Sequence, residues 1–222
     1  MSDYKPTLYI MDTFENKNSI KPKNTGSGSM FSNPVLEKLS RTNAAIPITM
    51  FYVIPVPLMV YGNLYSSMSL LHLMILFVSG AFFFTFLEYM LHRYVFHMST
   101  ETEFRKELQY KLHGLHHDYP KDKDRLAMPI LASITLAIVL FTLFYFTMGN
   151  NVVGFLPGVM AGYSTYLLVH YVVHAYPPPK NFMKGLWINH AVHHYKEGDH
   201  AFGVSSPLWD YVFGTMPKKK TN

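Results

Sequence analysis

The sequence predicts an all-α fold: an integral membrane four-helix transmembrane bundle with a cytosolic helical cap. Three observations support this prediction. Four windows of the 222-residue chain are long and apolar, the basic residues avoid those windows, and ten of the twelve histidines form four tight motifs beside them.

The four apolar windows are residues 44–62, 69–91, 128–148 and 152–175. A helix needs about 20 apolar residues to cross the hydrocarbon core of a bilayer, so each window is long enough for one crossing. The first window is interrupted by Pro47, Pro55 and Pro57 and is the least regular of the four.

Basic residues indicate the orientation. All 19 Lys and Arg lie in residues 5–41, 93–125 or 180–220, so the positive-inside rule places these regions in the cytosol. Both termini and all four histidine motifs then share the cytosolic face. The excess basic charge suits attraction to anionic lipid headgroups, and a docking patch for an acidic partner protein is the alternative.

The chain divides into three parts. Residues 1–40 form a polar tail that we expect to be largely disordered, without a cleavable signal peptide. Within it, Asn33 as N-cap and Pro34 at the first helical position predict a short interfacial helix near 34–41. Residues 42–216 form the membrane domain, and residues 217–222 form a basic tail.

The histidine motifs predict a dinuclear metal site in the cap. Imidazole is the commonest metal ligand among side chains, and histidines at positions i, i+3 and i+4 share one helix face. Each half of the chain supplies five, too many for one ion, so two metals with about five nitrogens each are expected. Octahedral iron with a vacant position fits that count, while zinc, copper and nickel stay open. The candidate ligands are His92, His97, His113, His116, His117, His170, His174, His190, His193 and His194.

Helices carry most of these ligands. His92 and His97 are five residues apart, out of register with an α-helix, which predicts that the helix ends or bulges between them. A charged helix is expected over 100–118, another over 182–195, and a short terminal helix containing Trp209.

Outside the motifs, Glu88 is the one acidic residue within the apolar windows. A carboxylate in that position is costly and usually functional, so we expect it to hydrogen-bond a ligand imidazole without binding the metal itself. We interpret His72 as a structural or surface residue and leave the role of His200 open.

The chain has no cysteine, which excludes disulfides, thiolate-bound Fe–S clusters and c-type haem. Any electrons must therefore come from another protein.

Two stretches carry a resemblance to a known family. The first runs from His92-Arg93-Tyr94-Val95-Phe96-His97 through His113-Gly114-Leu115-His116-His117 to Arg125-Leu126. The second contains Phe202-Gly203-Val204-Ser205-Ser206 and Trp209-Asp210. Over about residues 80–216 the chain resembles the fatty acid 2-hydroxylases of the fatty acid hydroxylase and sterol desaturase superfamily.

This resemblance implies a non-haem diiron monooxygenase that hydroxylates C2 of a long-chain fatty acid or of the acyl chain of a sphingolipid-type lipid. It implies two iron ions held by the ten histidines, with zinc as an occupant of the purified protein, O2, and an external reductant. The larger members carry an N-terminal cytochrome b5 domain, for which residues 1–40 are too short. Electrons are therefore expected from a separate cytochrome b5-like or ferredoxin-like protein.

The resemblance also bears on substrate contacts, for which Tyr166 and Trp209 are the candidates. Relatives have Tyr-Asp where this chain has Tyr166-Leu167, and Arg-Leu-Val-x-Pro-Pro where it has residues 125–130. These differences leave the exact lipid open.

Alternatives are a sterol or carotenoid oxidase or desaturase of the same superfamily, and a non-catalytic membrane metal-binding protein. No nucleic-acid partner is expected. A bacterial cytoplasmic membrane is the favoured location, with the endoplasmic reticulum second.

Overall fold

A computed structural model describes residues 22–217, and these residues form helices and loops without a strand. The expectations for residues 1–21 and for most of the basic tail lie outside the described residues. The α-helices are α1 (Pro34–Leu39), α2 (Ala45–Val53), α3 (Pro55–Tyr65), α4 (Leu70–Leu91), α5 (Glu103–Gln109), α6 (Leu115–Asp118), α7 (Ile130–Met148), α8 (Val152–Ala175), α9 (Lys184–Tyr195) and α10 (Leu208–Phe213). Two π-helices, His92–Phe96 and Tyr110–Gly114, and two 3₁₀ turns, Lys123–Arg125 and Gly149–Asn151, join them.

Three stretches of the described chain are long and apolar enough to cross a membrane: Ala45–Tyr65, Leu70–Phe96 and Lys123–Ala175. The first combines α2 and α3, which meet at Pro55, a residue that cannot donate a helical hydrogen bond. The third contains two helices, α7 and α8, separated at Gly149, whose φ of 58° ends α7. The predicted all-helical fold is thus confirmed, and the three apolar stretches contain the four predicted windows except for residues 44 and 69.

Helices α4 and α8 form the centre of the fold and carry ligands at their ends. Glycines permit their close approach: a Cβ on Gly80 would lie 2.0 Å from the carbonyl oxygen of Phe155, and one on Gly158 would lie 1.9 Å from that of Phe77. The buried side chains around this crossing include Leu73, Phe84 and Leu156. Backbone contact between the two helices therefore fixes where His92 and His170 lie relative to each other.

The N-terminal segment is fastened to the loop after α6. Asn33 caps α1 by accepting from the N–H groups of Val35 and Leu36, which confirms the predicted helix start. In the first turn of α1, Glu37 forms an ion pair with the buried Arg125, and Arg125 also donates to the Ser40 hydroxyl at 2.6 Å. Residues 27–41 consequently brace the loop that leads into α7.

Candidate metal centre

The first histidine motif lies on a π-helix. The helix α4 continues into His92–Phe96 with π geometry, and the N–H of His97 donates to the carbonyl of His92 at 3.1 Å, an i+5 hydrogen bond. Five residues make little more than one turn of such a helix, so the His92 and His97 rings meet, with centroids 5.1 Å apart. The predicted bulge between these two histidines is confirmed.

The second motif follows another π-turn. Residues Tyr110–Gly114 are π-helical and α6 begins at Leu115, so the expected helix over 100–118 begins at Glu103 and changes its period at the ligands. His116 and His117 are neighbours in sequence and project about 100° apart around the helix axis. They therefore face different directions.

The other two motifs lie on regular α-helices. The last turns of α8 carry His170 and His174, and α9 carries His190, His193 and His194. The expected helix over 182–195 is shortened only at its start, where Asn181 and Met183 form a turn.

The ten rings form two five-membered sites. In each, one nitrogen per histidine lies within 4.8 Å of the others. Site A consists of His92, His97, His113, His117 and His193, and site B consists of His116, His170, His174, His190 and His194. Each half of the sequence thus gives four histidines to one site and one histidine to the other. The one that crosses over is the middle histidine of the His-x2-His-His motif, His116 in the first half and His193 in the second.

The nitrogen atoms fit a metal ion in each site. At a metal–nitrogen distance of about 2.1 Å, two nitrogens at right angles lie about 3.0 Å apart, and two at the tetrahedral angle about 3.4 Å apart. In site B four pairs of Nε2 atoms lie 2.8 to 3.2 Å apart, and in site A those of His92 and His113 lie 3.0 Å apart. These distances favour five or six ligands over four, and they leave the identity of the metal open.

Hydrogen bonding supports the same conclusion. His170 Nδ1 contacts the carbonyl oxygen of Leu126 at 3.2 Å and must be protonated to do so, which leaves a lone pair on its Nε2. This Nε2 lies 3.0 Å from the Nε2 of His116 and 3.2 Å from the Nε2 of His174. In site A, the Nε2 atoms of His97, His117 and His193 are buried without a hydrogen-bond partner among the described residues. A cation bound in the site would supply the missing partner in each case.

Burial keeps the rings neutral, as ligands must be. Desolvation lowers the pKa of His97 to about 4, and desolvation together with the neighbouring His97 lowers the pKa of His193 to about 3. Burial likewise depresses the pKa of the other ligands on the cap, namely His113, His116, His117, His190 and His194. At neutral pH these imidazoles present lone pairs.

Main-chain carbonyls orient three of the rings. The Nδ1 atom of His92 lies 2.5 Å from the carbonyl oxygen of Phe202, and that of His193 lies 2.8 Å from the carbonyl oxygen of His200. The carbonyl oxygen of Leu126 has the same role for the Nδ1 of His170. Such bonds fix the tautomer so that Nε2 keeps the lone pair with which it could bind a metal.

Glu88 differs from its predicted role in one respect. Its carboxylate accepts from the backbone N–H groups of Val204 and Ser205, at 2.7 and 2.9 Å, and from the Ser205 hydroxyl. The expected hydrogen bond to an imidazole is therefore replaced by bonds to a loop, because that loop packs between α4 and the cap. The same loop contains Phe202, whose carbonyl oxygen contacts the Nδ1 of His92, so Glu88 is connected to a predicted ligand through the loop.

The two candidate substrate residues lie in different places. Tyr166 stacks on His170, with ring centroids 5.5 Å apart, and lines an apolar cavity below the sites. Trp209 donates to the Thr85 hydroxyl and packs on Phe82 and Phe86, and it is not among the residues that line this cavity.

The histidines outside the motifs have other partners. His72 pairs with Asn151 between the ends of α4 and α8. His200 is in neither site: its ring lies 2.8 Å from a carboxylate oxygen of Asp199, and its carbonyl is the group that His193 contacts.

The cavity runs from the sites into the membrane domain. Its volume is about 730 Å³, counted with its open mouth. Glu88, His92 and Tyr166 line it near the sites, and Leu140 and Leu156 line it at depth. Its wall is almost wholly apolar, which suits a hydrocarbon ligand.

Sequence reasoning assigned no role to one buried acidic residue near site A. Asp210 is fully buried and accepts from the N–H groups of Phe202 and Gly203. An acidic residue between Trp209 and Tyr211 in an apolar helix was the available signal, and only the tertiary structure shows what it holds.

Known proteins are similar to this chain in sequence and in fold. A family model described as "Fatty acid hydroxylase" matches residues 77–215. The chain is 34% identical to a dihydroceramide fatty acyl 2-hydroxylase of Arabidopsis thaliana over 79% of its own length and 77% of that protein. It is 35% identical to a ceramide very long chain fatty acid hydroxylase of Saccharomyces cerevisiae, over 96% of this chain and 55% of that protein.

A mouse fatty acid 2-hydroxylase is 35% identical over 64% of this chain and 39% of its own length, so the chain spans about half the length of several of its relatives. A solved structure of full-length scs7p, in which only the hydroxylase domain is visible, superimposes with a TM-score of 0.78 at 32% identity, covering 98% of this chain and 81% of that one. The family match, the two five-histidine sites and this superposition agree with one another: the chain belongs to the fatty acid hydroxylase family of oxidoreductases.

Proposed function

We propose that this protein hydroxylates C2 of a long acyl chain, either as a free fatty acid or within a sphingolipid-type lipid. The observation that carries the proposal is the apolar cavity that ends at His92 and Tyr166, directly below both histidine sites. The relatives are named as fatty acyl 2-hydroxylases, which supports the same reaction.

Depth in the cavity supports the position of attack. Fourteen residues of α8 separate His170 from Leu156, which corresponds to about 21 Å of helix. A chain whose methyl end reaches Leu156 keeps its carboxyl end beside the sites, whereas a mid-chain carbon lies about 10 Å deeper. The carbon next to the carbonyl is therefore the one presented to the metal centre.

Two iron ions held by sites A and B would supply the oxidising chemistry: O2, two electrons and two protons convert a C–H bond at C2 into C–OH and release one water molecule. The protein's own residues place the substrate. We expect the apolar walls to hold the chain and exclude water, and we expect Tyr166, which lines the cavity and stacks on His170, to contact the substrate near its acyl carbonyl. Trp209 remains a predicted substrate contact for a headgroup at the outer face of α4.

The same arrangement supports a proposal for the membrane topology. The three apolar stretches contain four candidate crossings, namely α2 with α3, α4, α7 and α8, and four crossings would bring both ends of the described chain and the metal sites to one face. We place that face in the cytosol, where a cytochrome b5-like or ferredoxin-like protein delivers electrons. A bacterial cytoplasmic membrane is the preferred location, before the endoplasmic reticulum.

Lipid mass spectrometry tests the function. Cells expressing the wild-type chain are expected to accumulate acyl chains heavier by one oxygen, located at C2 by fragmentation, and cells expressing His116→Ala/His193→Ala are not. Oxygen at mid-chain or on a sterol or carotenoid, dependent on the same histidines, would contradict the proposal and select another branch of the superfamily.

A further inference from the structure

A short loop, residues 200–205, contacts site A without contributing a ligand. The carbonyl oxygens of His200 and Phe202 lie on the Nδ1 atoms of His193 and His92, two of the five members of site A. Ala201 between them is 1% exposed and has a φ of 57°, a left-handed conformation that a non-glycine residue keeps only when its surroundings impose it. The loop is therefore held in place by something else.

Two buried carboxylates hold it. The four consecutive N–H groups of residues 202–205 all donate to them: Phe202 and Gly203 donate to Asp210, at 2.9 and 2.8 Å, and Val204 and Ser205 donate to Glu88. Glu88 lies on α4, one turn before the ligand His92, and Asp210 lies on α10. The loop is thus fixed to the ligand-bearing helix on one side and to the C-terminal helix on the other.

Further bonds fix Asp210 itself. The Thr215 hydroxyl donates to its Oδ1 at 2.7 Å, and the Thr215 carbonyl accepts from the N–H of Ala201 at 2.8 Å. Within residues 22–217, no side chain of site B contacts a carbonyl of this loop, and the one main-chain contact of its rings is with Leu126, in the segment that precedes α7.

We propose that Glu88 and Asp210 are positioning residues for the metal of site A alone, acting through the carbonyls of Phe202 and His200 on His92 and His193. This inference rests on the proposed metal centre and adds that its two sites depend on different parts of the chain for the positioning of their ligands. Because carbonyl or carboxylate partners of ligand imidazoles tune metal affinity by about 10–100-fold, loosening the loop should weaken site A by that factor and leave site B unchanged.

The two carboxylates allow a matched pair of substitutions. Asp210 accepts a backbone N–H on each carboxylate oxygen. In Asp210→Asn one of these acceptors becomes an NH2 group, so two hydrogen-bond donors face each other and one N–H loses its partner. Glu88 accepts both N–H groups on Oε1, and Oε2 meets only the Ser205 hydroxyl, which can also accept. Glu88→Gln should consequently preserve the loop, whereas Glu88→Leu should release it.

The experiment counts metal. Purified apo-protein in detergent is titrated with Co²⁺, and bound metal is measured by elemental analysis and by the visible absorption of the ion. We expect two tight equivalents in the wild type and Glu88→Gln, and one in Asp210→Asn and Glu88→Leu. To identify the site that loses its metal, Asp210→Asn is combined with the loss of a histidine from either site. Asp210→Asn/His190→Ala, which also damages site B, should retain no tight equivalent. Asp210→Asn/His117→Ala, in which both changes affect site A, should retain one.

Helical content by circular dichroism is recorded for each variant, and Glu88→Leu provides an independent test if Asp210→Asn does not fold. Two tight equivalents in both Asp210→Asn and Glu88→Leu would overturn the inference, as would equal loss from both sites. Wild-type protein that binds no Co²⁺ would overturn the proposed metal centre itself, whereas two equivalents in the wild type and in every variant would overturn the positioning role alone.

Discussion

The Nε2 atoms of His116 and His170 lie 3.0 Å apart, although 54 residues separate them in sequence. His116 therefore belongs to the site whose other four members come from the second half of the chain, and His193 has the reciprocal position in the first. Each metal site is held by both halves, so neither half can form a complete site alone.

This exchange predicts how paired substitutions combine. His113→Ala/His117→Ala removes two ligands from site A and should cost one metal equivalent, because both residues serve the same ion. His116→Ala/His193→Ala removes one ligand from each site and should weaken both. Metal content at limiting metal concentration measures the difference. Equal loss in the two double variants would contradict the assignment of ligands to sites.

The crossing of α4 and α8 predicts a stability effect at Gly80. Its missing Cβ would lie 2.0 Å from the Phe155 carbonyl oxygen, so Gly80→Ala must push the two helix backbones apart. We expect a loss of about 1–3 kcal/mol in the free energy of unfolding. The thermal midpoint in detergent should fall by about 2–4 °C for each kcal/mol.

Gly185 is the matched control for that substitution. No atom lies within 4 Å of the Cβ that Gly185→Ala would add in α9, so its midpoint should equal or exceed that of the wild type. A midpoint for Gly80→Ala as high as that of Gly185→Ala would show that the helices do not pack through this glycine.

Glu37 predicts a pH dependence of stability. Burial alone would raise the pKa of Glu37, but the N–H groups of Met30 and Phe31 and the charges of Arg41 and Arg125 lower it from 4.5 to about 2. A depressed pKa contributes stability that is complete above 4.5 and is lost as the pH falls from 4.5 towards 2. Glu37→Gln should therefore be less stable than the wild type at pH 7, by about 1 kcal/mol for this partly exposed group.

Denaturant unfolding of the two proteins between pH 2 and pH 8 provides the measurement. The difference in unfolding free energy should stay constant above about pH 5.5 and should shrink between 4.5 and 2. Glu101→Gln, at an exposed position, is the control and should show no such trend. A wild-type advantage that persists at pH 2 would refute the role given to the Glu37 carboxylate.

The cavity predicts that one side of α7 controls substrate entry. Ala137 lines the cavity, so Ala137→Phe should obstruct it and shift the hydroxylated products towards shorter acyl chains or lower their yield. Each methylene excluded from an apolar wall costs about 0.8 kcal/mol of binding. Product chain lengths by mass spectrometry report the effect.

Ile138 is the next residue on α7 and is 60% exposed, so Ile138→Phe adds the same ring outside the cavity and should leave the product profile unchanged. Metal content should be unaltered in both variants. Identical profiles from Ala137→Phe and the wild type would exclude this cavity as the acyl site.

The sequence by itself determined the helices and their ligands, because both depend on local periodicity. Apolar windows of bilayer length predicted the long helices, and histidines at i, i+3 and i+4 predicted helix faces that bind metal. The spacing of five between His92 and His97 even predicted the bulge, since an α-helix cannot bring such residues onto one face.

Tertiary structure alone decided which histidines form a common site and which groups Glu88 binds. His116 and His117 are adjacent, and their separation into sites B and A depends on where α8 and α9 lie relative to α6, which no local pattern encodes. Glu88 accepts from a loop 116 residues away rather than from the imidazole one turn along its own helix, because the buried N–H groups of that loop need an acceptor. The Nδ1 of His92 already contacts the carbonyl oxygen of Phe202. Contacts between distant segments are set by packing, and packing is what a linear sequence does not display.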